Sequence, residues 1–592
     1  MVSFGMGIHP GQRSFPRKRE SSPTTAHFAK VCRVDSRFRG NDCGLQRPSL
    51  TNDTITKFGD VYTSWGFRAI LNPSGLRRQM GNEVVQLTVV NQPGLPGAPQ
   101  FSSGAAGADS RFPAAGLVNG RMTTREARGA GTRPGLTDAH PPSETVATAG
   151  TLKTFYIETF GCQMNVHDSE KVQGVLMARG MTPVKDHAQA DLVLYNTCSI
   201  REKAAQKVFS RLGVFRKGRS GAGKVIGVLG CVAQQEGERF FERAPQVSLV
   251  CGSASYSKLP QLLDQLEAGQ RRVTGLSLDT EECFETEMTR RDNPFRAYLT
   301  IIEGCDQRCA FCVVPMTRGP QRSRPSHNIL VEARRLVDEG YTEIQLLGQI
   351  VNAWQDPSPA RLSFAELLSR LAEVAGIRRV RFTTSHPRFF SADIVQAIDA
   401  RLTLCDQIHL PVQSGSTAVL ARMLRGYTRE EYLEKIHCIR KARRAISLST
   451  DIIVGFCGET RQDFEQTLSL VKEVEYDQIF SFKYSPRPNT LAQGRVDAIA
   501  EEEKGQRLAE LQELQRQIQL RRNQALLGES FEVLVEGYQA RLGQAVGRST
   551  TNRVINFPGS PEDVGRYLTV KVTSAGPNSL AGARADHSSS ML

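Results

Sequence analysis

The chain has 592 residues, 40% hydrophobic and 23% charged, a balance that fits several globular domains and excludes a disordered or fibrous protein. No apolar run approaches the ~18 residues that span a bilayer, and thirteen cysteines are too sparse here for a disulfide scaffold. Their clustering suits reduced thiolate ligands in a cytoplasmic protein. Net charge is +14, but residues 1–150 hold 18 Lys/Arg against 10 Asp/Glu, so eight of these charges lie there and six in the other 442 residues. Charge alone is therefore a weak argument for a polyanion partner.

Residues 1–150 are rich in Gly, Pro, Ser, Thr and Arg and show no sustained period; 93–107 and 123–150 read as disordered. Val84 to Val90 is an apolar patch with no partner strand nearby. The Arg-rich start has the composition of a transit peptide but neither its amphipathic helix nor a cleavage pattern. Ser14 to Glu20 and Arg37 to Asp42 look like translated intergenic repeat. The expectation is a disordered or mis-started extension, with Met122 as the native start. Cys32 and Cys43 are left out of the chemistry.

From Thr151 the texture changes to strand–helix alternation, giving a domain over 151–270. Strands are expected at Thr154–Phe160, Asp191–Asn196 and Lys224–Leu229, with helices over 168–179 and 202–215. Each apolar run is short and two-sided, as in parallel strands buried between helices, so the domain reads as an open, doubly wound α/β sheet. Cys162, Cys198 and Cys231 each follow the carboxyl end of one strand. Those ends share one edge of such a sheet, where ligands bind. Three cysteines 36 and 33 residues apart can thus meet as a ligand set; three buried structural cysteines are the plainer alternative. Cys251 reads as core.

Residues 291–525 carry six β/α units. Strands are expected at Tyr298–Ile302, Thr342–Leu347, Val380–Thr384, Gln407–Leu410, Ser449–Val454 and Gln478–Phe482, with helices over 327–339, 364–375, 429–443 and 461–473. Six units are too few to close an eight-fold barrel, so a partial (β/α)6 barrel is expected. Its chemistry belongs to the loops after the strands. The first holds Cys305, Cys309 and Cys312 spaced C-x3-C-x2-C, and the others hold Gly348-Gln349, Ser385-His386-Pro387, Gln413-Ser414-Gly415 and Gly455. Three thiolates on one loop suit an iron–sulfur cluster, and the spacing is the signature of radical S-adenosylmethionine (SAM) enzymes. Zinc is the competing reading. Structural zinc wants four closed ligands, and no fourth Cys or His stands at a usual spacing. His386 alone reads as a hydrogen-bonded scaffold residue.

A helix over 501–524 places Leu508, Leu511, Leu514 and Ile518 on one face. Residues 528–590 then give short alternating strands at 531–535, 545–548, 553–557 and 567–572, a small OB-like barrel of a kind used on nucleic acid. Arg541, Arg548, Arg553, Arg566 and Lys571 are candidates for phosphate contacts and Phe557 for stacking; an ordinary solvated basic face is the alternative.

Taken together, these pieces resemble the tRNA methylthiotransferases of the radical SAM class over 152–585, and within them the isopentenyladenosine type. The resemblance rests on Gly161-Cys162-Gln163-Met164-Asn165, on Asn196 to Ala204 around Cys198, on Gly230-Cys231-Val232-Ala233-Gln234 and on the Cys305 loop. Thr384-Ser385-His386-Pro387, Leu410 to Gly415, Tyr484 to Pro488 and Asn552 to Phe557 extend it, the last within a TRAM RNA-binding module. It implies two 4Fe-4S clusters. One, on Cys305, Cys309 and Cys312, binds SAM and releases a 5′-deoxyadenosyl radical; the other, on Cys162, Cys198 and Cys231, presents the inserted sulfur. It further implies a SAM pocket near Phe311, Gly348, Gln349, Ser385, Gln413 and Asp451. The partners implied are a tRNA anticodon loop and an electron donor such as flavodoxin or ferredoxin, and a cytoplasmic monomer without a membrane is expected. Met316, Ile350 and Cys457 replace the family's usual Tyr, Asn and Pro. Methylthiotransferases of threonylcarbamoyladenosine or of a ribosomal-protein aspartate are the alternatives. The protein-modifying group usually reads Gly-Cys-Pro-Lys-Asn where this chain has Gln163-Met164. A non-catalytic Fe–S RNA-binding module is the remaining one.

Overall fold

The computed structural model describes residues 60–62, 68–70, 151–199, 202–216, 223–278 and 289–585. Strands β1 (Asp60–Tyr62) and β2 (Arg68–Ile70) pair antiparallel. The expectations for the rest of 1–150, including the patch at Val84 and the start at Met122, lie outside the described residues.

The first domain is a six-stranded parallel sheet in the order β4-β3-β5-β6-β7-β8. Its strands are β3 (Thr154–Phe160), β4 (Thr182–Pro183), β5 (Leu192–Thr197), β6 (Val225–Gly230), β7 (Leu249–Cys251) and β8 (Val273–Gly275). The three expected strands are its centre, β5 and β6 being buried along their whole length. Helices α1 (Gln163–Ala178), α2 (Glu202–Arg216), α3 (Cys231–Glu236), α4 (Arg239–Arg243) and α5 (Leu259–Glu267) cover both faces. One core gathers Val172, Leu176, Leu194 and Leu263, the other Val193, Val208, Leu212 and Phe240. This is the doubly wound arrangement. Helix α1 starts at Gln163 rather than near Asp168 because Cys162 takes the N-cap position and Asn165 closes a capping box with it.

The second domain strings six parallel strands in chain order: β9 (Arg296–Thr300), β12 (Glu343–Leu347), β13 (Arg379–Phe382), β14 (Gln407–His409), β15 (Ser447–Val454) and β16 (Gln478–Lys483). A bridge between Val380 and Leu404 joins the two halves of this open barrel. The short pair β10 (Ile302–Glu303) and β11 (Arg322–Ser323) closes the base of the cysteine loop, from which α6 (Val314–Arg318) departs. Helices α7 (Ser326–Asp338), α8 (Phe364–Ala372), α9 (Ala392–Ala400), α10 (Thr417–Arg422), α11 (Arg429–Arg440) and α12 (Arg461–Val474) flank the strands. Leu367, Leu371, Leu470 and Val471 from these helices meet Ile344, Leu346, Leu448 and Ile452 in one core. Helix α13 (Glu501–Gln524) adds Leu511 and Ile518 to it, with Leu508 and Leu514 half-buried beside them, as its spacing predicts.

The third domain is a closed barrel of five strands, β17 (Ser530–Gln539), β18 (Gln544–Ser549), β19 (Val554–Pro558), β20 (Tyr567–Ala575) and β21 (Leu580–Arg584), in the order β17-β18-β19-β21-β20. Arg379 and Arg381, two apart on β13, anchor it. Arg379 donates to the carbonyls of Arg548 (2.9 Å) and Glu532 (2.8 Å), and Arg381 to those of Ser549 (2.6 Å) and Thr550 (3.1 Å). Glu343 pairs with both guanidinium groups, at 3.8 and 3.2 Å. Buried cations of this kind are tolerated because carbonyls and a carboxylate share their charge.

Candidate active site

Cross-strand register decides how the first cysteine trio assembles. Phe160, Thr197 and Gly230 stand opposite one another on β3, β5 and β6. The next residues of the chain therefore leave the same edge together, and these include Cys162, Cys198 and Cys231. All three are buried, at 3%, 1% and 7% exposure. Asn165 ties Cys162 to the end of β5 from α1: its Oδ1 accepts from the Cys162 amide (3.3 Å) and thiol (3.1 Å), while its Nδ2 donates to Asn196 Oδ1 (3.1 Å) and Thr197 O (3.3 Å). Gly230 has φ +87°, and a Cβ there would lie 2.4 Å from Asn196 Oδ1 and 2.6 Å from Thr197 O. Only glycine lets β6 turn into the site.

Arg318, at the end of α6 in the second domain, reaches across to this trio. Its Nη2 and Nη1 meet Asp168 of α1 at 2.5 and 3.4 Å, with both side chains buried. Burial raises the Cys162 pKa, but its hydrogen bond with Cys198 and the Arg318 charge outweigh that and hold it below the usual thiol value. For Cys231 burial wins over Arg318 and the value is raised. The N-terminus of α1 adds partial positive charge at Cys162. Leu347 and the half-buried Tyr298, from the barrel, pack on Cys162, Met164 and Cys198, so the second domain roofs the trio.

The second trio is local. Gly304 has φ +71°, and a Cβ would sit 1.9 Å from Pro320 O, so the loop entering Cys305 passes directly against the chain after α6. Cys312 N donates to Cys309 O (3.0 Å) and Gln307 N to Cys305 Sγ (3.4 Å). Burial pushes the Cys305 thiol up to about 11 and raises that of Cys312. The three cysteines line one pocket with Gln349, Ile350, Ser385, His386, Gln413 and Arg425. Gln349 Oε1, Ser385 Oγ, His386 Nε2 and both amide atoms of Gln413 are buried without a hydrogen-bond partner. Gln413 also holds φ +75° and Thr384 φ +68°, strain of the kind found at ligand clamps.

Three residues expected at a SAM pocket, Gln349, Ser385 and Gln413, thus share the pocket of the cysteines. The other three lie outside its lining. Phe311 packs edge-on against Phe456, Gly348 sits where a Cβ would strike Ile302, and Asp451 lies beside His409 with its carbonyl accepting from Gln413 N. His386 exchanges two hydrogen bonds with Asn352, and its Nδ1 accepts from Arg388 N, so the neutral ring presents Nε2–H to the pocket. Its pKa is depressed, chiefly by burial. Ile350, one of the three departures from the family's usual residues, is part of the same lining. Among the described residues no three His, Cys, Asp or Glu side chains stand preformed at metal-binding spacing. What fits a cluster and its ligand is the donor chemistry: three thiols and several unpartnered polar atoms on one pocket.

A cavity of about 250 Å³ occupies the barrel interior and touches all three domains. Tyr298, Gln345, Gln407, His409 and Phe480 line it from the strands, Gln163 from above and Asn552 and Arg553 from the small barrel. Arg548 pairs with Glu536 (3.1 Å) and Arg553 with Asp477, so neither of these expected phosphate contacts is a free cation. Phe557 corrects the stacking expectation. It is 1% exposed, packed with Val533 and Ile555 inside the closed barrel. Arg541, Arg566 and Lys571 are exposed. Sequence reasoning quotes Asn165 within the Gly161–Asn165 motif without giving it a role, and it misses Asp168, Arg318 and Arg425, which no spacing marks out.

Fold and site together define a radical SAM protein with an N-terminal α/β domain and an RNA-binding type of terminal barrel. The family models agree: "Uncharacterized protein family UPF0004" matches residues 154–252, the Radical SAM superfamily 299–471 and the TRAM domain 524–583. The tRNA-2-methylthio-N(6)-dimethylallyladenosine synthase of Solibacter usitatus is 63% identical over 437 residues, 73% of this chain and 98% of the relative. The enzymes of that name from Koribacter versatilis and Aquifex aeolicus are 56% and 43% identical, again over 73% of this chain and 98% of each relative. The chain belongs to the family of tRNA-2-methylthio-N(6)-dimethylallyladenosine synthases. Its radical SAM domain implies a 4Fe-4S cluster and SAM.

Proposed function

We infer that this protein is a radical SAM methylthiotransferase that converts N6-isopentenyladenosine at position 37, beside the tRNA anticodon, to its 2-methylthio derivative. The observation that carries the reading is the juxtaposition of a cysteine-lined pocket, a second cysteine trio roofed by the same barrel, and a cavity bounded by all three domains. Bound on Cys305, Cys309 and Cys312, a 4Fe-4S cluster with SAM would supply a radical able to take hydrogen from C2 of adenine, a second cluster on Cys162, Cys198 and Cys231 would supply the sulfur to be inserted, and a second SAM its methyl group.

The chain's own residues bind, orient and shield. Gln349, Ser385 and Gln413 offer buried donors and acceptors that gain partners only when a polar ligand arrives. His386 stays neutral and donates from Nε2. Tyr298 and Phe480 provide ring surfaces inside the cavity for a base drawn out of its stack, while Gln345, Gln407 and His409 meet its polar edge. Exposed Arg541, Arg566 and Lys571 on the small barrel suit the flanking phosphates. The reading carries with it a one-electron donor such as flavodoxin or ferredoxin, a monomeric state and a cytoplasmic site of action. No described helix is long and apolar enough to cross a membrane.

The test is genetic. Nucleosides from tRNA of a deletion strain should contain isopentenyladenosine without its methylthio group, restored by the gene in trans. Unchanged nucleosides would reject the assignment.

A further inference from the structure

Arg425 follows α10 and is 4% exposed. Its Nη1 donates to Cys309 Sγ at 3.2 Å, its Nε to Tyr427 Oη at 3.1 Å and its Nη2 to Pro411 O at 3.3 Å. Tyr427 Oη donates onward to Val412 O at 2.8 Å, and Ala310 N, next to Cys309, donates to Met423 O at 2.9 Å. The guanidinium is thus fixed against the cysteine loop from two directions.

Its charge is handled unlike that of other buried arginines. Arg318 pairs with Asp168, Arg324 with Glu332, Arg381 with Glu343 and Arg507 with Glu459. Among the described residues, none of the hydrogen bonds of Arg425 goes to a carboxylate. A buried cation without a carboxylate is stabilised further by an anion bound beside it in the pocket. Three thiolates carrying a cluster are such an anion, and Arg425 lines the pocket with all three.

We propose that Arg425 is the fixed counter-cation of the Cys305–Cys309–Cys312 centre, a positioning residue whose N–H···S bond and charge favour the cluster's reduced state. The proposal rests on the reading of these cysteines as cluster ligands. Reduction adds one electron, supplied in the test by dithionite, and breaks no bond. The added negative charge is stabilised by a cation held at the ligand sulfur, and hydrogen bonds to cluster sulfurs act in the same direction.

The experiment is a potentiometric EPR titration of the reconstituted full-length protein, following the signal that changes when SAM is added, with iron and sulfide content measured in parallel. Arg425→Gln should move the midpoint to more negative potential, with the reduced-to-oxidised ratio at the wild-type midpoint falling at least tenfold, equivalent to 59 mV for one electron. Arg425→Lys, which keeps the charge, should recover most of the shift. An unchanged midpoint in Arg425→Gln, or a Lys variant as shifted as the Gln variant, would overturn the proposal. So would loss of iron from both variants, since Arg425 would then be a structural strut. A wild-type protein with no SAM-responsive signal would instead overturn the ligand reading itself.

Discussion

Cys305, Cys309 and Cys312 come from one loop of eight residues, whereas Cys162, Cys198 and Cys231 come from the ends of three separate strands. The loop trio is placed by one positive-φ glycine and by amide bonds that stay within its own domain, among them Cys305 N to Gly319 O, Ala310 N to Met423 O and Ala492 N to Ala310 O. The strand trio depends on register, because a one-residue slip of β5 against β3 or β6 would turn Cys198 away from its partners. Their counter-ions differ in the same sense. Arg425 belongs to the domain of the loop trio and, among the described residues, donates to no carboxylate, while Arg318 crosses from the barrel to the strand trio and is neutralised by Asp168. One trio is complete within its domain, and the other is completed by residues of the neighbouring domain.

The largest effect is expected at the loop. Replacing Cys309 by Ala should abolish SAM cleavage, read as 5′-deoxyadenosine formed with dithionite, because the proposed cluster would lose one of its three loop thiols. Cleavage at the wild-type rate would remove the loop from the chemistry. Next in size is Asp168→Ala, which leaves the buried Arg318 without its carboxylate between two domains. Breaking a buried pair costs ~3–5 kcal/mol, measurable by denaturant unfolding of the cluster-free chain; a loss below ~1 kcal/mol would contradict the counter-ion account. Gly230→Ala should cost about 1–3 kcal/mol from backbone strain alone, with more from contact against Asn196 and Thr197. Gly180→Ala is its control, with φ +86° and nothing near the added Cβ. Equal losses at the two sites would mean that packing at the strand trio contributes nothing.

Much of this arrangement was legible in the residues because periodicity and spacing are local signals. The six barrel strands and the central sheet strands β3, β5 and β6 announce themselves as short apolar runs ending in Gly, Cys or polar loop residues. Strands β4, β7 and β8, of two or three residues each, are too short for a pattern to form. Leu580–Arg584 reads Leu-Ala-Gly-Ala-Arg, with no β-branched residue to mark it, and is a strand because it closes the small barrel. Phe557 looked like a stacking platform, yet its alternation with Ile555 points it inward. The cysteines were visible by position. Arg318 and Arg425 were not, since a single arginine in a polar stretch carries no period and its role exists only once distant elements meet.

If the two trios do separable work, Cys198→Ala will part them. The reconstituted variant, given SAM, dithionite and tRNA bearing isopentenyladenosine, should still form 5′-deoxyadenosine but leave the tRNA without a methylthio group. Loss of both products, or methylthiolation at the wild-type level, would contradict the division.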